Sequence, residues 1–64
     1  MSEHASNLVD IAAELRHETG RAFLIHDGAK EVWLPKSQVE VECSGGDRVI
    51  VTMPEWLAKD KGLI

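Results

Sequence analysis

The chain has 64 residues, with 7 Lys+Arg against 11 Asp+Glu and a net charge of −4 with His neutral. A domain of this size buries only about 60% of its unfolded surface, which supports one small core over residues 1–64 and leaves little for a deep catalytic cleft. The 44% hydrophobic and 28% charged fractions exclude a wholly disordered chain, and the acidic balance argues against a protein that neutralises phosphates over a broad face.

Ser6 or Asn7 is suited to cap a helix, because a short polar side chain accepts a hydrogen bond from the first turn. Leu8, Ile11, Ala12 and Leu15 then follow the i, i+3, i+4, i+7 spacing of one helical stripe, and Gly20 is a natural stop, so a helix is predicted at about 7–18. On that helix Asp10, Glu14 and Glu18 form an acidic ridge at i, i+4, i+8. Arg21 to His26 is short and apolar and runs into Asp27-Gly28, a hairpin signal, with Lys30 to Leu34 as the returning strand. Pro35 has no N–H and ends that strand or marks an edge.

Gln38-Val39-Glu40-Val41-Glu42 alternates strictly and reads as a third strand. Ser44-Gly45-Gly46-Asp47 is a turn into a fourth, Arg48 to Thr52, which pairs with the third and has Val49 and Val51 on one face and Ile50 on the other. Thr52 and Glu55 have the spacing of a capping box, with Pro54 in the first turn of a C-terminal helix that Gly62 ends. Leu63 and Ile64 can fold back on the core. The expected class is α+β: an N-terminal helix packed on a three- to four-stranded antiparallel sheet, with a short C-terminal helix.

Cys43 is the only cysteine, so no internal disulfide or thiolate cluster can form, and a reducing compartment is expected. The N-terminus lacks a basic segment followed by an apolar run, and the longest apolar run, Ala22 to Ile25, is far short of a bilayer span, so a cytoplasmic protein is expected. His4, His17 and His26 show no metal-ligand spacing, and no nucleophile–base pair can be assembled from them and Cys43. No catalytic residue, metal or cofactor is therefore assigned. Trp33 and Trp56 read as core or helix-on-sheet packing, and Lys36 as a solvated turn lysine.

The negative charge is uneven. Residues 1–20 carry Glu3, Asp10, Glu14 and Glu18 against Arg16, a net of −3; residues 21–52 carry −1, and 53–64 are balanced. Glu40 and Glu42 share a strand face, with Glu31 and Asp47 as further acids of the sheet region. Such charges are either a solvated surface or an acidic face that engages a basic partner and occupies a nucleic-acid site. The partner-binding candidates are thus Asp10, Glu14, Glu18, Glu31, Glu40, Glu42 and Asp47.

The segments Glu31-Val32-Trp33-Leu34-Pro35-Lys36-Ser37-Gln38-Val39 and Met53-Pro54-Glu55-Trp56-Leu57-Ala58-Lys59-Asp60-Lys61-Gly62-Leu63-Ile64 resemble a pattern in small bacteriophage and prophage proteins. Together with size, acidity and the lack of catalytic residues, the chain resembles the anti-CRISPR inhibitors, and within them is most similar to inhibitors of type I-C systems. The resemblance implies binding to a Cas8-type subunit of the Cascade complex, in a bacterial host cell, at the surface that recognises target DNA. It carries over no contact residue. The expected partner is this basic protein surface, with no direct nucleic acid and no membrane, and the chain itself a monomer or weak dimer. The alternative is a phage accessory module that binds nucleic acid through Trp33, Lys36 and Arg48, and a small enzyme ranks last.

Overall fold

A computed structural model describes residues 7–64. It contains five strands and one helix: β1 (Leu8–Glu18), β2 (Ala22–His26), β3 (Glu31–Pro35), β4 (Glu40–Gly45), β5 (Arg48–Pro54) and α1 (Glu55–Asp60). The strands form one antiparallel sheet in the order β3-β2-β1-β5-β4.

The N-terminal helix expected at 7–18 is instead the longest strand, with 11 residues. The sequence fits both periods. Leu8, Ile11, Ala12 and Leu15 make a helical stripe, while Val9, Ile11, Ala13 and Leu15 alternate as a strand. Tertiary pairing decides, because β1 is the centre of the sheet: its first half pairs with β5, from Leu8↔Pro54 to Glu14↔Arg48, and its second half with β2. Asn7 caps no helix here; its carbonyl accepts from the Glu55 N–H at 2.9 Å. The Ser6 cap and His4 lie outside the described residues. Gly20 lies in the β1–β2 turn, where Thr19 Oγ1 accepts from the N–H groups of Arg21 and Ala22.

The register requires strong coiling. β3 and β4 are opposite edges of the sheet, yet only residues 36–39 join them. Pro35 is level with Ala22, at the far end of β1, whereas Glu40 is level with Asp10 through Thr52. In a flat sheet the two points would be roughly 30 Å apart, from four strand spacings and about eight residues of offset. The chain from Pro35 to Glu40 reaches at most about 18 Å. The sheet must therefore roll until its edges approach. The register of β1 against β2 slips between Leu15 and His17, a β-bulge of the kind that bends and twists a strand.

The rolled sheet encloses the core on one face. Ile25, Leu34, Val51 and Met53 are fully buried there with Val49, Val39 and Ala13, and α1 lays Leu57 and Ala58 on the same side. Each large side chain so buried contributes about 1.5–3 kcal/mol. Helix α1 is capped by neither Thr52 nor Glu55: its N-cap is Pro54 and has no side-chain hydrogen bond, because β5 runs on to Pro54 and holds Thr52 in the sheet. Its C-terminus is a Schellman turn. Gly62 takes φ +73°, its N–H bonds the Lys59 carbonyl, and the Leu63 N–H bonds the Ala58 carbonyl at 2.8 Å. Leu63 packs on the core, while Ile64 is exposed.

Both tryptophans differ from the core reading. Trp33 is 45% exposed and Trp56 is 58% exposed, because Trp33 points away from the core on an edge strand and Leu57 and Ala58 take the buried side of α1. The Asp27-Gly28 hairpin forms as expected, with Gly28 at φ +103°. Asp27 Oδ1 accepts from the N–H groups of Ala29 and Lys30 at 2.9 Å each.

Candidate interaction face

In an antiparallel sheet, residues directly opposite one another share a face. The face away from the core can thus be read in rows. Glu40, Thr52 and Asp10 form one row, and Glu42, Ile50 and Ala12 the next. Arg48, Glu14, His26 and Glu31 form the third, and Leu24 and Trp33, with His17, the fourth. Asp10, Glu14, Glu31, Glu40 and Glu42, on three different strands, are therefore brought to one face. Among the described residues no element packs over it. A shallow depression of about 440 Å³ lies on this face, lined by Ala12, Glu14, His26, Arg48 and Ile50 together with Ser44.

Two of the seven predicted acids leave the group. The bulge in β1 reverses the alternation, so Glu18 stands opposite Phe23 on the core side of the sheet. There it forms an ion pair with Lys36, whose ammonium also lies 4.9 Å from the centre of the Phe23 ring. Lys36 is accordingly a paired lysine rather than a simply solvated one. Asp47 lies in the β4–β5 turn, where its carbonyl accepts from the Leu15 N–H.

Charge on the open face is graded. Arg16, at the bulge, lies 3.2 Å from Glu14 and 3.9 Å from Glu31, so that end is partly compensated. At the other end, among the described residues, Asp10, Glu40 and Glu42 have no basic group within ion-pair distance. The Thr52 hydroxyl donates to Asp10 Oδ1 at 2.7 Å and fixes that carboxylate between β5 and β1. Glu40 and Asp10 flank Thr52 two strand spacings apart, about 10 Å, and Glu40 and Glu42 are about 7 Å apart along β4. A surface of this kind attracts a basic partner over distances near the Debye length.

The sequence reasoning did not single out His17 and Trp33 as a pair. Their rings meet edge to face at 6.1 Å, and no local spacing signals it, because the bulge at Arg16 sets which way His17 points. Trp33 and Arg48 lie three strand spacings apart on the open face, while Lys36 is engaged by Glu18, so these three side chains form no common groove. Among the described residues no three His, Cys, Asp or Glu side chains gather as a metal site, and no helix is long and apolar enough to cross a membrane.

Comparison of the chain with protein families, with curated proteins and with solved structures gave no match.

Proposed function

We propose that this chain is a non-enzymatic inhibitor of a CRISPR effector, which lays the open acidic face of its sheet on the basic, DNA-binding surface of a Cas8-type Cascade subunit and keeps target DNA out. The observation that supports this reading is the collection of Asp10, Glu14, Glu31, Glu40 and Glu42 on one sheet face that none of the described elements covers, with the excess of charge at Asp10, Glu40 and Glu42. The partner and its subtype come from the resemblance to anti-CRISPR inhibitors, which rests on size, acidity and lack of catalytic residues together with the phage-like pattern of the two tryptophan-bearing segments. Electrostatic complementarity would speed encounter and set orientation, and an apolar contact would hold the complex.

The test is binding to purified Cascade subunits at low and moderate salt, with wild type and the Glu40→Lys/Glu42→Lys double variant. Affinity should fall with salt, and charge reversal should weaken binding by at least about tenfold, the equivalent of 1.4 kcal/mol. Tight binding indifferent to both salt and reversal would remove the electrostatic mechanism. Absence of binding to every Cas component would remove the partner.

A further inference from the structure

The two edges of the sheet are chemically unlike. In an antiparallel ladder, residues alternate between bonding the neighbouring strand and pointing their N–H and C=O the other way. The bonds that bracket the β2–β3 pair set this alternation: the Asp27 N–H donates to the Lys30 carbonyl, and the Lys36 N–H donates to the Arg21 carbonyl. With the observed register, Val32 and Leu34 bond β2, while Glu31, Trp33 and Pro35 direct their backbone outward. Pro35 has no N–H, and its carbonyl already accepts from the Gln38 N–H at 3.0 Å. Among the described residues no strand pairs with the outer edge of β3, which therefore offers two N–H donors and two matching carbonyls, on Glu31 and Trp33.

We infer that this edge pairs with the same edge of a second copy of the chain, antiparallel about a two-fold axis at Val32. In that register Glu31 faces Trp33 of the other copy, twice over. All four outward N–H groups and their four carbonyls become partnered, and Pro35 stays outside the ladder. Val32, half-buried at the rim of the core, stands opposite its own copy and loses its remaining water. The outer face gains Trp33 beside a carboxylate that Arg16 already offsets, so no like charges stand opposite each other.

The β4 edge lacks this self-complementarity. The bonds of Leu15 to Asp47 and of Glu55 to Asn7 set the alternation of β5. Through it, Glu40 and Glu42 bond β5, and Val41 and Cys43 point outward. Pairing β4 with itself about Val41 places Glu40 opposite Glu42, and pairing about Glu42 places that glutamate opposite its copy, both of which repel. Charges on one edge and a short open stretch on the other are a common division between a protected edge and a pairing edge.

The experiment is sedimentation of the full chain from micromolar to millimolar concentration, with Glu31→Ala and Glu31→Pro. Both substitutions remove the carboxylate, but only proline removes the outward N–H, which β2 does not use. Wild type and Glu31→Ala should rise toward the dimer mass, and Glu31→Pro should stay monomeric. The register is read separately in a Cys43→Ser background. Opposed Val32 residues fall within disulfide reach, at about 4.5 Å between Cα atoms. Val32→Cys should oxidise to a linked dimer, and Trp33→Cys, which faces Glu31 of the other copy, should link far less. A wild-type mass that stays at one chain throughout, a dimer undiminished by Glu31→Pro, or faster linking through Trp33→Cys than through Val32→Cys would each overturn the inference. If Glu31→Pro fails to fold, the cysteine pair alone decides. None of these readouts involves a CRISPR component, so the inference stands or falls apart from the proposed function.

Discussion

Lysine placed at Ala12 or at Ala13 separates a strand from a helix in one comparison. The helical stripe counts Ala12 among its buried positions, whereas the strand exposes Ala12 and buries Ala13 at 9% exposure between Val49 and the core. At Ala13 a lysine must lose its hydration or its charge. A fully buried lysine is depressed by up to three to five pKa units, and at about 1.4 kcal/mol per unit this is about 4–7 kcal/mol, before any cost of overfilling the site. A 64-residue domain has only about 3–10 kcal/mol to lose. Ala13→Lys should therefore be mostly unfolded in buffer, or have a urea midpoint near zero. At Ala12 the ammonium projects from the open face between Asp10 and Glu14, with Glu42 two strands away, and stability should stay within about 0.5 kcal/mol of wild type. Urea titration followed by tryptophan fluorescence measures both. If Ala12→Lys proves the more damaging of the two, the assignment of faces in β1 is wrong, and the acidic face with it.

Replacing Val51, fully buried at the centre of β5, by alanine should cost about 2–3 kcal/mol in the same titration, while Ile50→Ala next to it, on the open face, should cost clearly less. A double-mutant cycle on Glu18 and Lys36 should return a coupling of no more than about 1 kcal/mol that shrinks with added salt, since both side chains remain substantially exposed. Hydrogen bonds from the Ala29 and Lys30 backbones hold the Asp27 carboxyl below its ordinary value of 3.8. Because the folded value is depressed, the stabilisation is present above the unfolded value and disappears as pH falls through the folded one. An NMR titration should accordingly place its midpoint below 3.8, and Asp27→Ala should flatten that acid limb of the stability curve. Gly62→Ala should lower stability by about 1–2 kcal/mol, because φ is +73°, a conformation that strains any residue with a Cβ; the Lys30 ammonium group beside it is the end of a flexible side chain and can swing aside.

Much of the second half of the molecule was legible from residues 21 onward. Asp27-Gly28 marks a hairpin because its turn needs positive φ, and Ser44 to Asp47 marks the next reversal. The alternation of Val49, Ile50 and Val51 assigns two faces to β5 unaided. The first element was not legible, for a definite reason: Ile11 and Leu15 belong to both the helical and the extended pattern, and Ala12-Ala13-Glu14 favours a helix when isolated. Only the long-range pairing with residues 48–54 resolves the ambiguity. The same lack of non-local information hid the edge position of β4, whereas Pro35, lacking an N–H, already marked β3 as a strand that ends there or lies at an edge. The acidic candidates were recognisable by type, but which of them meet depends on registers between distant strands and on one bulge. Thus Asp10 and Glu14 join Glu31, Glu40 and Glu42, while Glu18, at even spacing from both, is turned to the other side.

The position of β1 also sets the order in which this molecule can fold. The central strand β1 has one of its two neighbours, β5, more than 30 residues further along the chain, so the Leu8–Glu14 half must wait unpaired until residues 48–54 have been made. Loops of about 40 residues must close before that ladder gains anything, which places the rate-limiting step late and favours folding in milliseconds to seconds rather than microseconds. During that interval the first half of β1 is an extended, partly apolar segment with no ladder partner. Its acidic residues then have a use independent of any binding partner, since like charges on neighbouring nascent chains keep such segments from pairing with one another.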